Sequence, residues 1–153
     1  MNQSVKPESV LFHNDTEQDV PSIILFNSWV ESVIEHQGVF FQVSIEILDL
    51  LTSQKLNNDY RHINKPTNIL SFPLELPEFV KEDLIGDLAI CADVVIKEAK
   101  EQNKSVDNHW AHLTIHGCLH LLGYDHIDTD DAEIMESIEI MLLKNINIQN
   151  PYN

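Results

Sequence analysis

Basic side chains are scarce in this chain. Nine lysines and arginines stand against 25 aspartates and glutamates, for a net charge of −16, and a surface of that sign does not track a long polyanion by bulk electrostatics. Contact with nucleic acid must therefore be local. Cysteine is nearly absent: Cys91 and Cys118 cannot make a disulfide framework. Long apolar runs are missing as well. Stretches such as Ile23-Ile24-Leu25-Phe26 fall far short of the ~20 residues of a membrane span, and Met1 to Glu8 show no signal-peptide core. These absences predict a cytoplasmic location and no membrane partner. With 153 residues, 43% of them hydrophobic, the chain reads as a single domain over residues 1–153, with 145–153 as a short polar tail.

What is there is histidine. Four of the eight histidines fall between His112 and His126, in His112-Leu-Thr-Ile-His116-Gly-Cys-Leu-His120-Leu-Leu-Gly123-Tyr-Asp-His126. On a helix His116 and His120 project from one face one turn apart, close enough to grip one ion. Gly123 can end the helix in a left-handed conformation and turn the chain so that His126 reaches the same ion. Three neutral imidazoles and one open position make the usual catalytic zinc arrangement, whereas a structural site is closed by a fourth protein ligand. Cys118, roughly 200° around the helix from His116, faces away. His112, one turn before His116, reads as support for the site or as a simply packed residue, and not as a ligand. The spacing H-x-x-x-H-x-x-G-x-x-H is that of the metzincin proteases, but Gly117 stands where those enzymes carry the general-base glutamate. An ion at this site can still act as a Lewis acid on an anionic substrate and lower the pKa of a water, which suits phosphodiester cleavage better than proteolysis.

Periodicity organises the remainder. Residues 5–13 supply a first edge strand. Asp19-Val-Pro21 opens a helix with Phe26, Trp29, Val30 and Val33 on its core face, ended by Gly38. Phe41, Val43, Ile45 and Ile47 alternate with polar residues as a half-buried strand. Asp49 or Thr52 caps a short helix over 53–60 that delivers Arg61, and a strand terminated by Pro73 follows. Residues 84–91 are another strand, in which Gly86 signals a bulge or a close backbone approach. Residues 93–102 form a helix, Ser105 or Asp107 starts the metal-bearing one, and Asp130-Asp-Ala-Glu133 is a capping box for the last. Asp128, Asp130 and Asp131 read as acids favoured by a helix N-terminus and not as a second metal site. The predicted fold is a single compact α+β domain: a small mixed sheet of three to four strands packed with about five helices, the metal site on a late helix.

Leu56-Asn-Asn-Asp-Tyr60-Arg61, Lys65-Pro-Thr-Asn-Ile-Leu-Ser-Phe-Pro73, Gly86-Asp-Leu-Ala-Ile-Cys91 and the histidine block together resemble the YbeY family of bacterial metal-dependent endoribonucleases. The resemblance runs from about Val39 to the C-terminal helix. It implies a single-strand-specific endoribonuclease, acting in 3′-end maturation of small-subunit ribosomal RNA and in ribosome quality control, with one zinc ion per chain. The family's metal ligands fall on His116, His120 and His126, and its phosphate-holding arginine on Arg61, the only arginine here. Implied partners are single-stranded ribosomal RNA and ribosomal proteins or ribosome-associated factors, and no DNA. This chain departs from the pattern at His62-Ile-Asn64, where the family has Gly-x-Asp, and at Asn68, where it has aspartate. His62 at such a place is an exposed loop residue or an added phosphate or proton-transfer group. The nucleophile is a metal-activated water or the ribose 2′-hydroxyl, and three imidazoles also accept nickel, copper or iron. Two competing functions are a zinc hydrolase of the metzincin kind, disfavoured by Gly117, and a non-catalytic, metal-stabilised assembly factor that binds basic ribosomal proteins through its acidic face.

Overall fold

The structure is a computed structural model that describes residues 8–125 and 127–152. In chain order its elements are β1 (Val10–Asn14), α1 (Ile23–Gln37), β2 (Gln42–Leu48), α2 (Leu50–Arg61), β3 (Ile69–Pro73), β4 (Leu84–Cys91), α3 (Ala92–Glu101), α4 (Val106–Leu121) and α5 (Thr129–Asn145). The strands form one mixed sheet in the order β1-β2-β4-β3. Both β1 and β4 run parallel to β2, and β3 pairs antiparallel to β4 at an edge. The expected α+β architecture, a small mixed sheet with five helices, is borne out.

Side-chain alternation sorts the helices onto two faces. Val43, Ile45, Ile47, Ile69, Leu88 and Ile90 point to one side, where they share the main core with α1 and α4. There Trp110 meets Phe26 edge-on at 5.6 Å between ring centroids. Leu48, Leu70 and Ala89 point to the other side and pack with Leu56 of α2 and with Phe72. Tyr60 lies on Phe72 at 4.9 Å. The helix that ends at Arg61 and the helix that carries the histidines therefore occupy opposite faces of the sheet.

The starts of α1, α2 and α5 differ from the expectation. Asp19 does not cap α1: the Ser22 hydroxyl accepts from Leu25 N at 3.3 Å, so Pro21 falls before the helix and not in its first turn. Asp49 caps α2 by accepting from Thr52 N at 2.7 Å, which starts that helix at Leu50 and not Ser53. The last helix is capped by Asp128, whose carboxylate accepts from Asp131 N at 2.9 Å, two residues ahead of the expected box. That bond gives Asp128 a capping role. Gly38 (φ 74°) closes α1 as expected.

Gly86 combines both features that its place in a strand suggested. Gln42 faces Leu84 while Val43 faces Gly86, so Ile85 is a bulge. A Cβ on Gly86 would lie 2.5 Å from the Phe72 carbonyl oxygen and 2.7 Å from Leu121 Cδ2. Backbone cannot swing away as a side-chain tip can. Gly86→Ala is expected to lower stability by about 3 kcal/mol, read from the midpoint of a denaturant unfolding curve.

Past α5 the chain docks. Ile146 and Ile148 pack against the main core, and Lys104 Nζ donates to the Pro151 carbonyl at 3.0 Å. No helix among the described residues is long and apolar enough to cross a membrane.

Candidate metal centre

The site is built on α4. The Ser105 hydroxyl accepts from Asn108 N at 3.2 Å to start it, and Trp110, Ala111, Leu113, Ile115, Cys118 and Leu119 bury it against the sheet and α1. Gly123 (φ 100°) ends it, with Tyr124 N donating to Leu119 O at 3.0 Å, the left-handed stop that its sequence position suggested. The 3.6-residue period leaves His112, His116 and His120 along one face. Cys118 is fully buried on another, and burial pushes its thiol up to about 12, so it offers no thiolate to an ion.

His116 is held from both ring nitrogens. Its Nδ1 lies 3.0 Å from Glu139 Oε1, and its Nε2 lies 3.0 Å from His120 Nε2. A carboxylate beside Nδ1 fixes the proton there and leaves the Nε2 lone pair facing His120. Two imidazole nitrogens bound tetrahedrally to one zinc ion sit about 3.3 Å apart, given bonds of about 2.0–2.1 Å. The pair needs to open by only a few tenths of an ångström to share an ion. His126, the third ligand inferred from the sequence, lies outside the described residues.

Glu139 was not foreseen. It arrives from α5, fully buried, with His112 Nε2 at 2.8 Å from Oε1 and the Tyr152 hydroxyl donating to both carboxylate oxygens at 3.0 Å. Burial alone would raise its pKa, but the bonds and charges of His112 and His116 outweigh it and hold the carboxyl down at about 2. Burial keeps His112 below the usual imidazole value against the opposing pull of Glu139. Ligand atoms of His112, His116 and Glu139 all lie within 4.8 Å of one another, so they too could hold a metal ion. Both arrangements share His116. A single acid among Ile138, Ile140, Met141 and Leu142 was the sequence signal for Glu139.

A cavity of about 430 Å3 opens beside His112 and His116. On its wall Glu98 Oε1 accepts from Asn68 Nδ2 at 3.0 Å and lies 3.0 Å from His109 Nε2. An aspartate at 68 would instead place two carboxylates together, so the amide suits this site. Arg61 is the exposed last residue of α2 and is not among the residues lining this cavity. His62, next to it, is the exposed left-handed cap of α2 at φ 60°. That conformation is one that glycine takes at little cost, so His62→Gly is expected to stabilise the fold by about 1 kcal/mol, measured by thermal or denaturant unfolding.

Gly117 faces the sheet. A Cβ there would come within 2.7 Å of Leu88 Cδ2 and 2.8 Å of Ile69 Cδ1, so the position that holds a general base in metzincins has no room for a glutamate here. The family model for endoribonuclease YbeY matches residues 12–147. The chain belongs to the YbeY family of metal-dependent endoribonucleases. It is 48% identical to the endoribonuclease YbeY of Alteromonas mediterranea over 136 residues, covering 88% of this chain and 86% of that protein. Its fold is similar to the solution structure of a Thermotoga maritima protein, with a TM-score of 0.59 at 22% identity over 90% of this chain and 91% of the other. The YbeY match includes Arg61, Asn68, His112, His116, His120 and Glu139, and stops short of Tyr152.

Proposed function

We propose that this chain is a cytoplasmic, single-strand-specific endoribonuclease that matures the 3′ end of small-subunit ribosomal RNA and serves ribosome quality control. One zinc ion is held by His116, His120 and His126. The observation that carries this reading is the clamp on His116: Glu139 behind Nδ1, and His120 Nε2 3.0 Å in front of Nε2. Such a carboxylate–histidine pair orients a ligand and raises its basicity. A divalent cation there supplies a Lewis acid for the phosphate and lowers the pKa of a nearby water.

The chain's own residues do the rest. His116 and His120 present lone pairs from one helix face. Arg61 donates a planar fork of N–H groups to the non-bridging phosphate oxygens and cannot lose its charge. It makes no ion pair with another described residue, so no carboxylate neutralises it. The loop 62–68 joins Arg61 to Asn68 on the cavity wall, and RNA lies across that lip. Arg61→Ala is expected to slow cleavage by about 10²- to 10³-fold with zinc content unchanged, measured in single-turnover assays.

The net charge of −16 also suits contacts with basic ribosomal proteins, which would bring a protein poor in basic residues to its RNA. The test is cleavage of end-labelled single-stranded and duplex RNA, with chelator and His120→Ala samples in parallel. Cutting confined to the single strand and lost in both controls supports the reading; equal cutting in all samples contradicts it. A 2′,3′-cyclic phosphate paired with a 5′-hydroxyl end identifies the ribose hydroxyl as nucleophile, and a 5′-phosphate paired with a 3′-hydroxyl end identifies water.

A further inference from the structure

We propose that the 430 Å3 cavity beside His116 seats one unpaired nucleobase of the RNA, with guanine the best fit. This rests on the nuclease reading above and assigns its substrate subsite. The cavity is a recess between α3, α4, the start of β3 and the docked C-terminal stretch, and it has both polar and apolar walls. Ile69, Leu113 and Pro151 supply apolar surface for the faces of a flat ring, while Glu98, Gln102 and Lys104 stand at its edge.

The polar groups have capacity to spare. Glu98 uses Oε1 for Asn68 and His109, and its Oε2 has no hydrogen bond among the described residues. Burial pushes this carboxyl up, but the bonds from His109 and Asn68 more than offset that and hold it below the usual range, so it only accepts. Gln102 is exposed and its side-chain amide makes no hydrogen bond among the described residues, and Lys104 spends one N–H on Pro151. An acceptor-only carboxylate beside amide and ammonium donors complements an edge with adjacent N–H donors and a carbonyl. Guanine presents that edge through N1–H, N2–H2 and O6; uracil offers one N–H between two carbonyls. A base paired in a duplex has this edge occupied and cannot enter a recess, so the cavity also accounts for single-strand specificity. A base seated here places its own phosphate beside His116, which lines the same wall.

The test is a titration of 15N-labelled, metal-loaded protein with guanosine 5′-monophosphate, uridine 5′-monophosphate and ribose 5-phosphate, followed by NMR. The guanosine nucleotide is expected to shift the Gln102 side-chain amide and to bind about tenfold more tightly than the uridine one. Ribose 5-phosphate is expected to leave Gln102 unmoved. Gln102→Ala, at an exposed position, should raise KM for a guanine-containing oligonucleotide by about fivefold with little change in kcat, and Glu98→Gln should remove the preference over uridine. Equal binding of the two nucleotides, or the same Gln102 shift from ribose 5-phosphate, overturns the subsite. Cleavage of RNA by a sample whose Gln102 does not respond sinks the subsite and leaves the nuclease standing. Guanosine binding at Gln102 without any cleavage does the reverse.

Discussion

His116→Ala is expected to abolish zinc binding and to reduce RNA cleavage to the level of chelator-treated protein. A Lewis acid at a phosphate is worth several kcal/mol, which at 1.36 kcal/mol per tenfold is a loss of about 10³-fold or more. Stability of the metal-free protein should change much less, because the ring is partly exposed, at 21%. Two parallel measurements check this: zinc content after gel filtration, and single-turnover cleavage of a labelled single strand. His116 is the position where the effect must be largest, since it belongs to both possible ligand sets, facing His120 through Nε2 and Glu139 through Nδ1. A variant that keeps full cleavage without zinc would remove the metal from the account.

Glu139→Ala is expected to be the most damaging single change to the fold itself. It leaves His112, His116 and the Tyr152 hydroxyl facing a fully buried cavity without their acceptor. Removing one member of a buried network of this kind costs about 3–5 kcal/mol, read from denaturant unfolding of the metal-free protein. Glu139→Gln keeps the volume and separates the roles: zinc affinity should fall by about 10- to 100-fold while the fold persists. The pH dependence has a definite sign. The folded carboxyl titrates at about 2, below its ordinary 4.5, so the stability it supplies is complete above about pH 4.5 and is lost as pH falls toward 2. Wild type should therefore lose more stability than Glu139→Gln across that window.

The histidine pair was legible because its geometry is local: four residues on a helix fix which rings meet, whatever the surroundings. Gly38, Gly86 and Gly123 were legible for a similar reason, since their backbone roles follow from where each falls in its element. Glu139 was hidden because its partners lie 23 and 27 residues away in sequence, and only the packing of α5 on α4 brings them together. Helix starts slipped where Asp19 competed with Ser22 and Asp130 with Asp128, a choice made by loop geometry and not by residue type. The sheet order β1-β2-β4-β3 depends on non-local pairing and could not be read from periodicity. Arg61 stood out only as a lone arginine, and its assignment rests on the family pattern around it. The polar composition of 145–153 concealed the anchors Ile146, Ile148 and Tyr152, which fasten that stretch to the core and to Glu139.

Zinc stoichiometry in His126→Ala and His112→Ala proteins, set against wild type, tests the central claim most directly. His112 precedes His116 by one turn of α4, and His126 follows it in the sequence. Zinc held by His116, His120 and His126 predicts one ion per chain in wild type and in His112→Ala, and none in His126→Ala. Retention by His126→Ala with loss from His112→Ala would place the ion with Glu139 and contradict the account.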